Sequence, residues 1–463
     1  MSAELFPGGA VVERALAASK ADETIVIVTD AAEASLRWAG NSMTTNGSSV
    51  SRDWAVVAIF RDGPTAARVG SVRSTSVDPA DIEAVVRAAE EAARTATPAA
   101  DAAPLLDPDG TDAATWEDAP GGTGIEVFTG VAGDLARGFD GPDRLYGFAH
   151  HQVHTTWLGT STGIRRRYVQ PTGSVEINGK RGEGADLASA WVGVGTADFA
   201  DVDTPGLLAE LSRRLDWSAR RVELPAGRYE TLLPPSAVAD LMIYLAWSME
   251  GRGAHEGHTA FSRAGGTRIG ERLGAIPLTL YSDPDASGLE YRPFVATPAS
   301  SEALSVFDNG LPATRVDWIG DGVIRNLVYP RATAAEFDAP ATVPGENLLL
   351  TGGSDATLDG MIARTERGLL LTCLWYIREV DPADLLLTGL TRDGVYLVEN
   401  GEVTAAVNNF RFNESPLDLL RRVSEAGATG ITLPREWKDW FTRTAMPPLR
   451  VPDFHMSSVS QAT

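Results

Sequence analysis

The sequence predicts an α+β protein, with a small N-terminal α+β domain and a large C-terminal domain of mixed or antiparallel sheet that could close into a barrel. Three observations predict it. Apolar residues recur at helical spacing in a few separate stretches, alternating strand patterns fill most of the remainder, and Gly-Asx turns crowd the second half.

Val11, Val12, Ala15 and Leu16 share one face of a helix predicted over residues 8–20. The run Thr24-Ile25-Val26-Ile27-Val28-Thr29 reads as a strand, and residues 34–39 as a second, alternating one. Asn46-Gly47 is a strong turn signal before a strand at 54–61. Asp78-Pro79 caps a helix running to about Thr95, with Ile82, Val85, Val86 and Ala89 at helical spacing. These elements make residues 1–95 the first domain, and the Ala/Pro/Asp/Gly-rich stretch 96–123 a linker. A middle segment, 124–220, holds strand patterns at 145–158 and 175–178 and a helix from Thr204 to Asp216. The C-terminal domain, 221–463, is strand-rich, with turns at 308–310, 320–322, 392–394 and 399–401.

Composition excludes some functions. The chain has 463 residues and a formal charge of -22, which repels a phosphate backbone and argues against nucleic-acid binding. No apolar run is long enough to cross a bilayer, and Cys373 is the single cysteine, so a soluble protein of the reducing cytoplasm is expected. Cys373 lies in an apolar strand pattern and reads as a small buried thiol.

The stretch 234–273 carries the densest chemistry. Val238, Leu241, Met242, Leu245 and Met249 are spaced for one buried helical face, and then Gly251 and Gly253 break the pattern before His255-Glu256-Gly257-His258. Two imidazoles and a carboxylate suit zinc, but helical zinc pairs stand at i and i+4, whereas these stand at i and i+3 beside flexible glycines. A polar loop after a buried helix is the plainer reading. On a strand, His150 and His154 point one way and His151 the other, so those three do not converge on one ion.

Together several short stretches resemble the TldD/PmbA family, in its PmbA branch, also called TldE. They are LRWA at 36–39, MTTNG at 43–47, STGIRR at 161–166, EG at 256–257 followed by FS at 261–262, GGTRIGE at 265–271, SVFDNG at 305–310, LTGLTRDG at 387–394, ENG at 399–401 and NFRFN at 409–413. Each is weak alone, but they follow the family's order across nearly the whole chain. The resemblance implies pairing with a TldD-type subunit that carries Zn on a His-Glu-x-x-x-His helix and a late cysteine. In this sequence the second histidine comes two residues early and Cys373 lies far upstream, with His455 the only late candidate ligand. No zinc ligand is therefore carried over, and no cofactor is expected in this chain.

The expectation is a TldE/PmbA-like subunit of a heteromeric zinc metallopeptidase that hydrolyses small or unfolded peptides, with a homodimer also compatible with the family architecture. His255, Glu256, His258, Arg268 and Asn309 are the expected substrate-cleft residues. Two alternatives remain: a self-sufficient metal-dependent hydrolase using His255 and His258, and a non-catalytic peptide-binding or regulatory protein.

Overall fold

Residues 25–28 are apolar in unbroken sequence because both faces of their strand are covered. In the computed structural model, which describes residues 6–63, 66–108, 114–184 and 187–460, they lie within one 17-residue strand, β1 (Glu23–Ala39). The two strands expected at 24–29 and 34–39 are therefore continuous. β1 joins β2 (Met43–Arg61), β3 (Ala67–Ser74), β4 (Arg144–Thr160), β5 (Arg165–Arg181) and β6 (Ala188–Thr196) in one antiparallel sheet of order β3-β2-β1-β4-β5-β6. Strands from residues 1–95 and from 124–220 thus share a single sheet.

Val26 and Val28 on one face of β1 pack with Trp54, Val56 and Trp157 under the helices α1 (Gly8–Ala18) and α2 (Ile82–Thr95). Ile25 and Ile27, on the other face, pack with Val57 and Leu158 against Phe294, Val306 and Phe307 of the C-terminal half. Farther along, α3 (Thr129–Gly138) and α4 (Thr204–Trp217) cover Ala34, Leu36, Val175 and Ile177. The carboxylates of Asp78 and Asp203 accept the N–H groups of Ala80 and Gly206 at 2.9 and 3.0 Å, which fixes the starts of the helical segments at residues 79 and 204.

The hairpin between β1 and β2 turns at Gly40 and Asn41, both at positive φ (60° and 63°), not at Asn46-Gly47. Two consecutive left-handed residues match the right-handed twist of the strands, so Gly40-Asn41 takes the turn. Asn46 and Gly47 then pair inside β2, opposite Leu36 and Ser35. β3 pairs only with residues 54–61, so residues 43–51 of β2 are exposed and have a strand neighbour on one side alone.

The C-terminal half holds a six-stranded and a ten-stranded sheet. Neither closes into a barrel. The ten-stranded one has open ends at Leu374–Asp381 and Arg221–Val222. α5 (Pro235–Trp247) lies between the two sheets, packed with Leu280, Ile319 and Leu350 of one and Leu369, Phe410 and Phe412 of the other. Over residues 236–243 it is therefore buried all round, Ala237, Ala239, Asp240 and Ile243 included, where the sequence suggested one buried face. Cys373 is buried as expected, and burial pushes its thiol up to about 12, leaving it unreactive.

Candidate functional site

α5 ends in a turn that exposes Trp247, and the chain re-enters a single helical turn, α6 (Gly251–His255). Gly251 makes this close approach possible, because a Cβ there would fall 2.0 Å from a ring carbon of Tyr329. Gly251→Ala is expected to cost about 1–3 kcal/mol by forcing that ring aside, read as a lowered denaturation midpoint.

Together α5, α6 and the sheet-edge strand Leu374–Asp381 enclose a cleft of about 620 Å³. One wall is aromatic: Trp247 and Trp437 meet with ring centroids 5.0 Å apart, and Tyr244 lies 5.8 Å from Trp437. The rim is acidic, from Glu250, Glu256, Glu302 and Glu379, with Arg252 and Arg378 among them. Burial and the neighbouring Glu302 push the Glu250 carboxyl above its usual range. Arg252 donates to Glu336 at 2.5 Å and lies 3.5 Å from Glu256, so much of its charge is already matched.

The strand edge facing the cleft is capped by side chains. Tyr376 sits at φ 53°, which turns its N–H and that of Ile377 toward one point, and the Glu436 carboxylate accepts both at 3.0 and 3.1 Å. Arg378 adds a contact to Glu436 at 3.3 Å, and the Tyr244 hydroxyl meets the Glu379 N–H. Glu436 and Trp437 are held from below by Asp240, whose buried carboxyl accepts the N–H groups of Arg435, Glu436 and Trp437 at 3.2, 2.9 and 3.4 Å. The Trp437 indole donates to the Asp240 carbonyl at 2.9 Å.

The five residues singled out in the sequence part company here. Glu256 and His258 line the cleft, with His258 Nδ1 3.5 Å from Glu256. His255 lies off the cleft lining, its ring stacked on Phe337 at 4.1 Å and its Nε2 3.2 Å from the Tyr329 hydroxyl. Arg268 is paired bidentately with Glu271 at 2.7 and 2.6 Å, and Asn309 is buried, clamping Thr297 and Val306 through its amide. Among the described residues no three His, Cys, Asp or Glu side chains gather in a way that could hold a metal ion. With one histidine stacked and hydrogen-bonded and the other in solvent, the residues at 255–258 do not fit a zinc site.

Sequence reasoning missed Tyr244, Trp247, Glu250, Arg252, Glu302 and Trp437. The paired tryptophans of Trp437 and Trp440 in a polar segment were the one legible signal.

Comparison with known proteins follows the same lines. No curated protein sequence matches the chain. Its fold is similar to that of TldE from Thermococcus kodakarensis, with a TM-score of 0.77 and 15% identity over 96% of this chain and 98% of that one. It is also similar to a protein from Thermotoga maritima described as a candidate modulator of a DNA gyrase (TM-score 0.75, 15% identity, 96% and 99% covered). A protein of like description from Bacteroides thetaiotaomicron matches with a TM-score of 0.75 and 16% identity over 98% of each chain. Likeness at this identity shows the fold. Among the described residues no helix is long and apolar enough to cross a membrane. The model of PmbA/TldA metallopeptidase domain 1 matches residues 26–96, and that of the PmbA/TldA metallopeptidase C-terminal domain matches residues 226–458. That second match takes in α5, α6 and the whole C-terminal half, and the chain belongs to the PmbA/TldD metallopeptidase family.

Proposed function

We propose that this chain is a TldE-like subunit that binds peptide in the α5–α6 cleft and acts with a TldD-type subunit, which supplies the zinc. The observation that carries the reading is the contrast at α6: a cleft with an aromatic wall and a carboxylate rim and, among the described residues, no cluster of three side chains placed to hold a metal ion. Zinc in the partner would activate water for attack on the amide. This chain's part is positioning. The exposed Trp247 and its neighbours Tyr244 and Trp437 offer a face for apolar side chains, and the excess of glutamates over arginines favours cationic peptides. Because Glu436 and Tyr244 cap the strand edge, side chains hold the peptide in the first instance, and backbone pairing with this strand requires Glu436 to swing away.

The test is reconstitution. Hydrolysis of a short basic, aromatic-containing peptide is expected only when this chain and a TldD-type partner are mixed. Trp247→Ala in this chain is expected to raise the apparent KM about tenfold, a hot-spot-sized effect. Elemental analysis should find zinc with the partner. Stoichiometric zinc on this chain alone, lost in His258→Ala, or peptide cleavage without any partner, would overturn the proposal. Tight peptide binding with no cleavage after the partner is added would identify a purely binding role.

A further inference from the structure

The sheet face that looks toward the C-terminal half changes character along its length. At Ile25, Ile27, Val57 and Leu158 it is sealed by apolar contacts with Phe294, Val306 and Phe307. One step farther, the same face becomes polar. Thr29 on β1 stands opposite Thr156 on β4, which stands opposite Tyr168 on β5. The next rows pair His154 with Gln170 and Gln152 with Thr172. Alternation places all of these on one surface. They line a cavity of about 460 Å³, closed from the other side by residues 439–443 and by Arg292, Gly345 and Glu346. An interface that only joins two halves of a chain gains more from apolar packing than from a block of polar groups.

Two arginines line this cavity; Arg292 is paired with Glu346, whereas the charge of Arg443 is poorly met. Its guanidinium donates to the Thr172 hydroxyl, and among the described residues it forms no ion pair. The nearby Glu346 is engaged by Arg292 at 2.8 Å. Burial and the like charge of Arg292 hold the Arg443 guanidinium below its ordinary value in spite of Glu346. Arg52 is matched by Asp30, Arg331 by Asp308, and Arg450 by Glu230 and Glu425. Beside Arg443 in the same lining, Gln170 gives its Nε2 to the carbonyls of Pro171 and Glu290, while its Oε1 is buried without a hydrogen-bond partner. A partly desolvated cation and an orphaned acceptor in one cavity suit a ligand with an anion and an N–H donor.

We infer that this cavity binds a carboxylate that carries an adjacent N–H, the chemistry of a peptide C-terminus or an N-acyl amino acid. The carboxylate sits on Arg443, with the Tyr168 and Thr156 hydroxyls as further donors, and the amide N–H meets Gln170 Oε1. Trp440, 79% exposed, lines the cavity and gives the ligand's side chain an aromatic face. The site is distinct from the α5–α6 cleft, with which it shares no lining residue.

Calorimetric titration of the full chain, without any partner, tests this with N-acetyl-Ala-Phe as the free acid and as its C-terminal amide. Its outcome does not depend on whether peptide hydrolysis is ever observed. The acid is expected to bind and the amide at least tenfold more weakly. Sodium acetate, which lacks the N–H, should also bind at least tenfold more weakly; acetate equal to the acid would reduce the site to a plain anion pocket and overturn the peptide-terminus assignment. Arg443→Gln should abolish the preference for the acid while leaving the thermal midpoint of the free protein unchanged or higher, because it removes a half-buried charge that no carboxylate pairs. Gln170→Ala, which does not touch the charge, should weaken the acid and leave acetate unaffected. Equal binding of acid and amide, no binding of either, or an Arg443→Gln protein of lowered midpoint and unaltered affinity would each overturn the assignment.

Discussion

Asp240→Ala is expected to destabilise the chain by about 2–4 kcal/mol and to collapse the wall of the α5–α6 cleft in the same step. The carboxyl is fully buried in the middle of α5 and receives three successive backbone N–H groups from residues 435–437. The Trp437 ring also ties that segment to α5, by its hydrogen bond to the Asp240 carbonyl and its contacts with Tyr244 and Trp247. Without the carboxyl, three donors lose their acceptor, Trp437 leaves Tyr244 and Trp247, and Glu436 no longer reaches the N–H groups of Tyr376 and Ile377. Denaturant unfolding would read the first effect and peptide binding the second. Affinity is expected to fall in parallel with stability, and a destabilised variant with unaltered peptide affinity would separate the segment from the cleft. The pH dependence has a definite sign. Burial raises the Asp240 carboxyl well above its ordinary range, and the three N–H groups offset this only in part. A folded-state value above the unfolded one makes the contribution of Asp240 greatest below the unfolded pKa. The contribution then declines as pH rises toward the folded pKa. The stability difference between wild type and Asp240→Asn should therefore shrink as pH is raised from about 4, the ordinary aspartate value.

Arg52→Ala is expected to cost about 3–5 kcal/mol, the range for removing one partner of a buried ion pair. Arg52 and Asp30 face each other in register across β2 and β1, with side chains 1% and 3% exposed. The guanidinium donates twice to Asp30, at 2.6 and 2.7 Å, and once to the Phe6 carbonyl at 2.6 Å. Truncation strands the Asp30 carboxylate inside the sheet with no counter-charge. The double variant Asp30→Leu/Arg52→Met should recover most of the loss, since neither charge then needs burying. Chemical denaturation of the two variants checks this, and equal stability of the single and double variants would contradict it.

Much of the fold was legible in the sequence because it is written locally. The apolar faces of α1 and α2 came from spacing, and the cap at Asp78 came from its residue type. So did the positive-φ pairs Asp321-Gly322, Asp393-Gly394 and Asn400-Gly401, which turn the chain where the sequence indicated. Asn46-Gly47 misled because two adjacent sites carried turn chemistry and only one was needed. The cleft was half legible. Glu256 and His258 stand in the stretch the sequence singled out, but Glu302, Arg378 and Trp437 arrive from distant segments and carry no local pattern. Asn309 drew attention as a polar residue in a family motif, and its side chain is spent entirely on holding its own loop. Arg443 drew none, since an unmatched charge can be recognised only when its surroundings are known.

The placement of β1 has a consequence for how the chain is made. β1 is bounded by β2, its neighbour in sequence, and by β4, which begins only at Arg144. On the ribosome, therefore, β1, β2 and β3 emerge with one flank of β1 bare and without a hydrogen-bonding neighbour. Closure of that flank must await a segment synthesised seconds later. The pairing of β1 with β4 is thus a long-range contact that completes the sheet late, and until it forms a bare strand edge faces other unfinished chains.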